Sequence, residues 1–241
     1  MRLQGARLHL SVELSGKITV IFWVFSADFI GVSYRIIKVQ NSKLQVIRKA
    51  SFTATPWKNG GGITREAIRV PAGGDPFRWR VSVADIDRSG PFSEFAEHNR
   101  KMVLLRGAGI ELRFADGTHK ALRKVGDLVE FDGALAAHCE LLNGPCVDLN
   151  LMVSKSDSAA VRVERFVESL TVSAPRSETT LLFAIDRRFR LEITAGKAVT
   201  LEPWDLAVLS HCSGRLSRLE SAHPFGSTSV FLATLKFVSG K

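Results

Sequence analysis

From residue 46 onward the chain is a succession of short apolar runs cut by Gly, Pro, Asn and Asp, with no amphipathic stretch of a dozen residues at helical period. Runs at 78–84, 101–105, 110–114, 128–131, 147–153, 180–185, 189–193, 207–210 and 230–236 are rich in Val, Ile, Leu and Phe and have strand length. Short strands at this turn-punctuated spacing predict a sandwich or barrel. The chain is therefore read as all-β, with 93–99 suited to one short helix and 158–167 to either a strand or a helix. At 241 residues and 45% apolar content it has room for one large domain or two small ones, and it is far from the composition of a disordered chain.

An internal echo favours two halves. Residues 102–131 can be laid on 180–209: strand, turn and strand come in the same order, 110–114 falls on 189–193, and the turn Gly126-Asp127 falls on Trp204-Asp205. Identities are few, so the likeness is one of wiring.

The formal charge of +9 points first to a polyanion, but its distribution argues otherwise. Residues 1–44 carry six basic and two acidic side chains, so +4 of the excess sits there and the remaining 197 residues carry only +5. Basic residues are spread along the strands without a nucleic-acid motif, which excludes nucleic acid as the expected partner. The apolar run 18–32 is interrupted by Asp28 and is shorter than the roughly 20 residues a spanning helix needs, and no small-residue cleavage site follows it. Residues 1–44 are read as an extension outside the domain, with no membrane partner. Cys139, Cys146 and Cys212 form no C-x-x-C pair and are read as idle thiols of a cytoplasmic protein.

Polar chemistry concentrates in three places. Pro56 to Glu66 reads PWKNGGGITRE, three glycines ringed by Trp57, Lys58, Asn59, Thr64, Arg65 and Glu66. Consecutive glycines suit a backbone that turns with positive φ or lies against something, and the convergence of polar types suits a ligand-lining loop over a plain solvated turn. The strand period of two sends Arg80 and Ser82 to one face of their run and Asp148 and Asn150 to one face of theirs. In a barrel these four would line a polar lumen able to fork a guanidinium onto a carboxylate or amide; on an open sheet they would form its wet face. Phe92 and Phe95, three apart, read as a plug over a core. The six histidines form no H-x-H or H-x-x-x-H pattern, so no metal or other cofactor is expected, and no nucleophile motif is present.

PWKNGGGITRE at 56–66, WRVSVA at 79–84, SGPFSEF at 89–95, Arg100 and GPCVDLNLM at 144–152 together resemble the HutD/Ves family, which carries corresponding blocks in this order. The resemblance runs from about Val46 to the end. It implies a double cupin, with an N-terminal half at 45–155 and a C-terminal half at 156–241, and it implies that residues 1–44 are foreign to the domain. It also implies a regulator of bacterial histidine utilisation that binds a small intermediate such as urocanate or formylglutamate without catalysis. Two departures stand out: Phe95-Ala96-Glu97-His98-Asn99-Arg100 replaces the usual F-P-G before the arginine, and Leu149 replaces a common Phe.

The expectation is a site for a small anionic metabolite in which Lys58, Arg65 and Arg80 counter the charge. Asn59, Thr64 and Asn150 orient the ligand, Ser82 and Asp148 complete the polar lining, and Trp57 and Phe92 supply walls. The alternative is a metal-independent enzyme on such a substrate with Glu66 or Asp148 as general base. A third reading is an interaction module in which C-terminal strand edges form a homodimer.

Overall fold

The computed structural model describes residues 8–14, 18–24, 43–73, 75–194, 196–219 and 228–237. The chain divides into two units, Met1–Lys43 and Leu44–Lys241. In the first, β1 (Leu8–Leu14) pairs antiparallel with β2 (Ile18–Val24), Leu8 opposite Val24. Residues 25–32 of the apolar run lie outside the described residues. No helix among the described residues is long and apolar enough to cross a membrane.

The second unit is built from strands and one 3-10 turn at Lys49–Ser51. After β3 (Lys43–Ile47) come β4 (Thr53–Pro56), β5 (Gly62–Val70), β6 (Trp79–Ile86), β7 (Gly90–Pro91), β8 (His98–Arg106), β9 (Ile110–Phe114), β10 (His119–Leu122), β11 (Leu128–Asp132), β12 (Ala137–Leu141) and β13 (Cys146–Ser154). The chain continues through β14 (Ser158–Phe166), β15 (Ser169–Ala184), β16 (Phe189–Ile193), β17 (Ala198–Leu201), β18 (Leu206–Arg218) and β19 (Thr228–Lys236). Residues 158–166 thus take the strand option. The stretch 93–99 is not the helix its sequence permits: its backbone bonds outward, Phe95 N donating to Gly133 O.

Strand order gives two halves. In the first, a six-stranded sheet β11-β8-β13-β6-β5-β4 faces a four-stranded sheet β10-β9-β12-β7. In the second, the order β14-β19-β15-β18-β16-β17 forms a single sheet, and β3 adds to it by pairing with β18. The halves are jelly rolls and not closed barrels, since the two sheets of the first half keep separate ladders. Lys120 Nζ donates to Glu130 O, joining β10 to the edge strand β11.

Strands β6, β8 and β13 have both faces covered. Their odd-numbered residues, including Trp79, Val81, Val103, Leu149 and Leu151, pack with Leu181, Phe183, Phe231 and Leu235 of the second half. Their even-numbered residues turn the other way, and Ile86, Met102, Leu104 and Cys146 meet Ile110, Leu112, Leu122 and Cys139 of the facing sheet. The period of two thereby assigns one face to the junction between halves and the other to the interior of the first half. The second half fills its own interior with apolar side chains such as Leu182, Phe189, Leu191, Leu209 and Leu216, with Leu44 and Val46 of β3 packed against them.

The repeat noticed in the sequence is reproduced in hydrogen bonds. Gly126 N donates to Leu104 O and Leu104 N to Asp127 O; Trp204 N donates to Ala184 O and Ala184 N to Asp205 O. Gly126 has φ of 90° and Trp204 a φ of 73°. A tryptophan therefore occupies the left-handed position that glycine fills in the first copy, where a Cβ is disfavoured. Lys49 Nζ sits 4.0 Å from the centroid of its ring. Beside it the buried Asp205 accepts from Arg48 Nη1 at 2.6 Å, Lys49 N at 2.9 Å and Glu202 N at 3.0 Å, fastening the chain just after β3 to the second half. Asp205→Ala strips acceptors from two backbone N–H groups and the partner from Arg48. It is expected to lower unfolding free energy by about 2–4 kcal/mol in denaturant melts.

Candidate ligand-binding site

The interior of the first half changes character along its length, and the ladder registers show how. One row across the six-stranded sheet runs Arg69, Arg80, Met152, Arg100 and Phe131. The next runs Glu66, Ser82, Asn150 and Met102, and the third Thr64, Ala84, Asp148 and Leu104. Guanidiniums, then amide and hydroxyl, then one carboxyl lead into the apolar core. A bulge between Glu66 and Ile68 makes the first row possible. Three residues apart in a regular strand, Glu66 and Arg69 would face opposite ways; the extra residue turns both inward, as bulges beside sites commonly do. Arg69 then donates to Glu66 Oε2 from Nε at 3.1 Å and from Nη2 at 3.0 Å.

Two guanidiniums point into this interior, Arg100 buried and Arg80 partly so. Arg100 is 5% exposed, and it donates from Nε and Nη2 to Asn150 Oδ1 at 3.3 and 3.1 Å and from Nη1 to Ser93 O at 3.3 Å. Asn150 Nδ2 donates in turn to Asp148 Oδ2 at 2.6 Å. Arg80 approaches Glu66 Oε2 at 3.9 Å, too far for a hydrogen bond, and its buried Nε has no hydrogen-bond partner. Rings surround both cations: Arg80 lies over Phe77 and Phe95, and Arg100 over Phe92, Phe95 and Phe131, with ring centroids 4.9–5.7 Å away. Phe77 stacks on His98 at 4.0 Å, and His98 Nε2 bonds Phe77 O at 2.8 Å, so the residues that replace the family's F-P-G buttress this cage.

The charge balance follows from burial. Loss of hydration pulls Arg100 down to about 10, an effect that Arg80 reinforces and Asp148 opposes. Burial likewise lowers Arg80, with Glu66 opposing. The fully buried Asp148 is pushed up to about 7 by loss of hydration, against the pull of Arg100 and the Asn150 hydrogen bond. Among the described residues no carboxylate hydrogen-bonds to either guanidinium. A buried charge without a direct carboxylate hydrogen bond is costly, so this inner face is disposed to accept an anion, and a planar guanidinium is shaped to take a carboxylate on two N–H groups. The described residues include no cluster of three His, Cys, Asp or Glu side chains able to hold a metal. Cys139, Cys146 and Cys212 are buried.

Of the residues expected from sequence, Thr64, Glu66, Arg80, Ser82, Asp148 and Asn150 share this inner face. Trp57 and Phe92 meet edge to face at 5.9 Å against the same core, and Trp57 Nε1 donates to Thr64 Oγ1 at 2.8 Å. The others stand elsewhere. Arg65 opposes Val83 on the far face of the sheet and pairs with Asp85. Lys58 and Asn59 are exposed, and Asn59 Oδ1 is used locally, accepting from Gly61 N at 2.9 Å. The glycines answer to backbone packing: Gly60 has φ of 65°, and a Cβ on Gly62 would lie 2.2 Å from Asp85 O. Arg100, Arg69, Phe77, Phe95 and Phe131 were not expected as site residues. Arg100 carried a usable signal, a cation at the inward phase of a strand whose next inward residues are Met102 and Leu104.

The elevated Asp148 value fixes a pH dependence. Its folded value lies above the ordinary carboxylate range, so the native state holds the proton more tightly than the unfolded chain between about pH 4 and 7. Stability from this group is fully present below the unfolded value and is lost as pH rises through about 7. Asp148→Asn is therefore expected to raise the melting temperature relative to wild type at pH 8. That gain should shrink on acidification from about pH 7 to about pH 4 in thermal melts.

A family model described as HutD matches residues 49–224. An uncharacterised 21.2 kDa protein in the hutC 3′ region of Pseudomonas putida is 36% identical over 159 residues, 66% of this chain and 82% of that protein. A solved conserved protein of unknown function from Pseudomonas aeruginosa PAO1 superposes with a TM-score of 0.72 at 31% identity, over 81% of this chain and all of that one. HutD from Pseudomonas fluorescens SBW25, solved in a formate condition, gives 0.66 at 26% identity, over 82% of this chain and all of that one. At the level of fold alone, the oxalate decarboxylase of Lactobacillus farciminis gives 0.57 at 9% identity over 87% of this chain and 88% of that one, which identifies the double jelly roll as a bicupin.

Proposed function

The chain belongs to the HutD family, and on that footing we propose that it binds a small carboxylate metabolite of histidine breakdown, urocanate or formylglutamate, and regulates histidine utilisation without catalysing a reaction. The reading rests on one observation above all: Arg100, buried, and Arg80, partly buried, share one aromatic-walled inner face, neither hydrogen-bonded to a carboxylate among the described residues. A ligand carboxylate would supply the missing acceptor to Arg80 Nε and the counter-charge to the pair. Phe92, Phe95 and Phe131 offer flat apolar surface to a short carbon skeleton or a ring. Support for the metabolic setting comes from the Pseudomonas putida relative, placed by its description in the hutC 3′ region.

Calorimetry and thermal shift with urocanate and formylglutamate test the proposal. Ligand at a hundred times its Kd is expected to stabilise the protein by about 2.7 kcal/mol. The methyl esters, which lack the charge, are expected to produce no shift. Arg100→Met, which keeps chain length but removes the fork, is expected to weaken binding by about 10- to 100-fold, the worth of a charged hydrogen-bond pair, while the protein stays folded. Equal binding of acids and esters, or an Arg100→Met protein with wild-type affinity, would defeat the reading.

A further inference from the structure

Asp148 is the one fully buried carboxyl in the lumen of the first half among the described residues, and pairing a ligand carboxylate with Arg80 and Arg100 makes no direct use of it. Its position is nevertheless not incidental. It stands one row deeper than Asn150, opposite Ala84 and Leu104, and the Asn150 amide joins it to Arg100: Nδ2 donates to Asp148 while Oδ1 accepts from the guanidinium. Asp148 is thus the counter-charge of Arg100, held one amide away. Its other oxygen, Oδ1, is buried and has no hydrogen-bond partner. A carboxylate oxygen left so, in surroundings with little water, is one that a proton can neutralise.

The groups that act on this carboxyl come from every strand around it. Arg100 reaches it from β8, Asn150 shares its strand, the backbone of Ala84 meets it from β6, and Cys139 of β12 in the facing sheet feels its charge. Arg80 of β6 acts on the same Arg100, and Glu66 of β5 acts on Arg80. A carboxylate arriving on the guanidinium pair shares Arg100 with Asp148, and where little water screens the repulsion the two negative charges oppose each other.

Resting on the carboxylate-binding reading above, we infer that Asp148 determines the charge of the occupied site: a carboxylate bound at Arg80 and Arg100 is accompanied by uptake of one proton at Asp148, so that the lumen carries the same net charge empty and filled. The protein therefore selects for an anion together with a proton, and a neutral amide or ester of the same shape gains nothing from Asp148. By reciprocity, a proton bound at Asp148 strengthens anion binding as much as the anion strengthens proton binding.

The experiment is calorimetric titration of the wild-type protein and of Asp148→Asn with N-formylglutamate, whose own carboxylates stay ionised across the range, at about pH 6, 7 and 8. Each titration is run in two buffers of different ionisation enthalpy, so that the difference in heat counts protons. Wild type is expected to take up most of one proton per ligand near pH 7.5 and to bind about fivefold or more tightly at pH 6 than at pH 8. Asp148→Asn is expected to take up none and to bind with the same affinity across the range. A second measurement needs no variant: the infrared difference spectrum on adding N-formylglutamate should gain the carbonyl stretch of a protonated carboxyl, shifted by 13C-aspartate labelling. Binding by wild type with no proton uptake, unchanged uptake in Asp148→Asn, or no labelled carboxyl band would overturn the assignment to Asp148 while leaving carboxylate binding intact. No binding by wild type at any of these pH values would instead remove both.

Discussion

Strands β6, β8 and β13 leave no face for water, and the rest of the architecture follows from that. One face is covered by the second half and the other by β9, β10 and β12, so the interior of the first half and the junction between the halves both depend on these strands. A central sheet buried on both sides tolerates a polar side chain only where another polar group meets it. The inward phase of these strands carries Arg80, Ser82, Arg100, Asp148 and Asn150, and the structure meets the requirement only in part. Asn150 serves two neighbours, while Arg80 Nε and Asp148 Oδ1 are left over. Those two atoms are where the stability of the fold and the chemistry of the site pull apart.

The second half shows what the first would be without that tension. It repeats the same reciprocal bonds around its turn, yet its interior is filled with leucine and phenylalanine. The duplicated wiring therefore does not imply duplicated function. Where the first copy spends inward positions on cations and amides, the second spends them on packing, and it also supplies the surface against which the first copy's central sheet is laid. Large apolar side chains at such positions also favour a single well-ordered arrangement.

Much of this was legible in the chain itself. The strand runs, the internal echo and the inward phase of Arg80, Ser82, Asp148 and Asn150 follow from local period, and local period survives folding. The sequence blocks shared with HutD relatives pointed to the family. What eluded the sequence depends on non-local geometry. Arg65 looked like a site cation because it neighbours the glycine loop, but its register opposite Val83 turns it to the far face. Lys58 and Asn59 belong to an exposed turn in which Gly62 packs against the backbone of Asp85 and Asn59 bonds Gly61 N. The bulge that brings Arg69 beside Glu66 leaves no mark in a pattern of alternation, and the aromatic cage is assembled from loops and strands far apart in sequence.

The pairing of β3 with β18 sets a condition on how the protein can be made. The first strand of the domain waits for a partner that lies beyond residue 205, and Arg48 waits for Asp205. During synthesis the first half can gather around β6, β8 and β13, but Leu44 and Val46 have nowhere to bury until nearly the whole chain has emerged. A contact of such long sequence separation raises the entropy cost of the final step and slows it. The return of the domain's own beginning to close its end is then a late step, and a nascent chain stalled before β18 would leave the inward side chains of β3 open to the wrong neighbours.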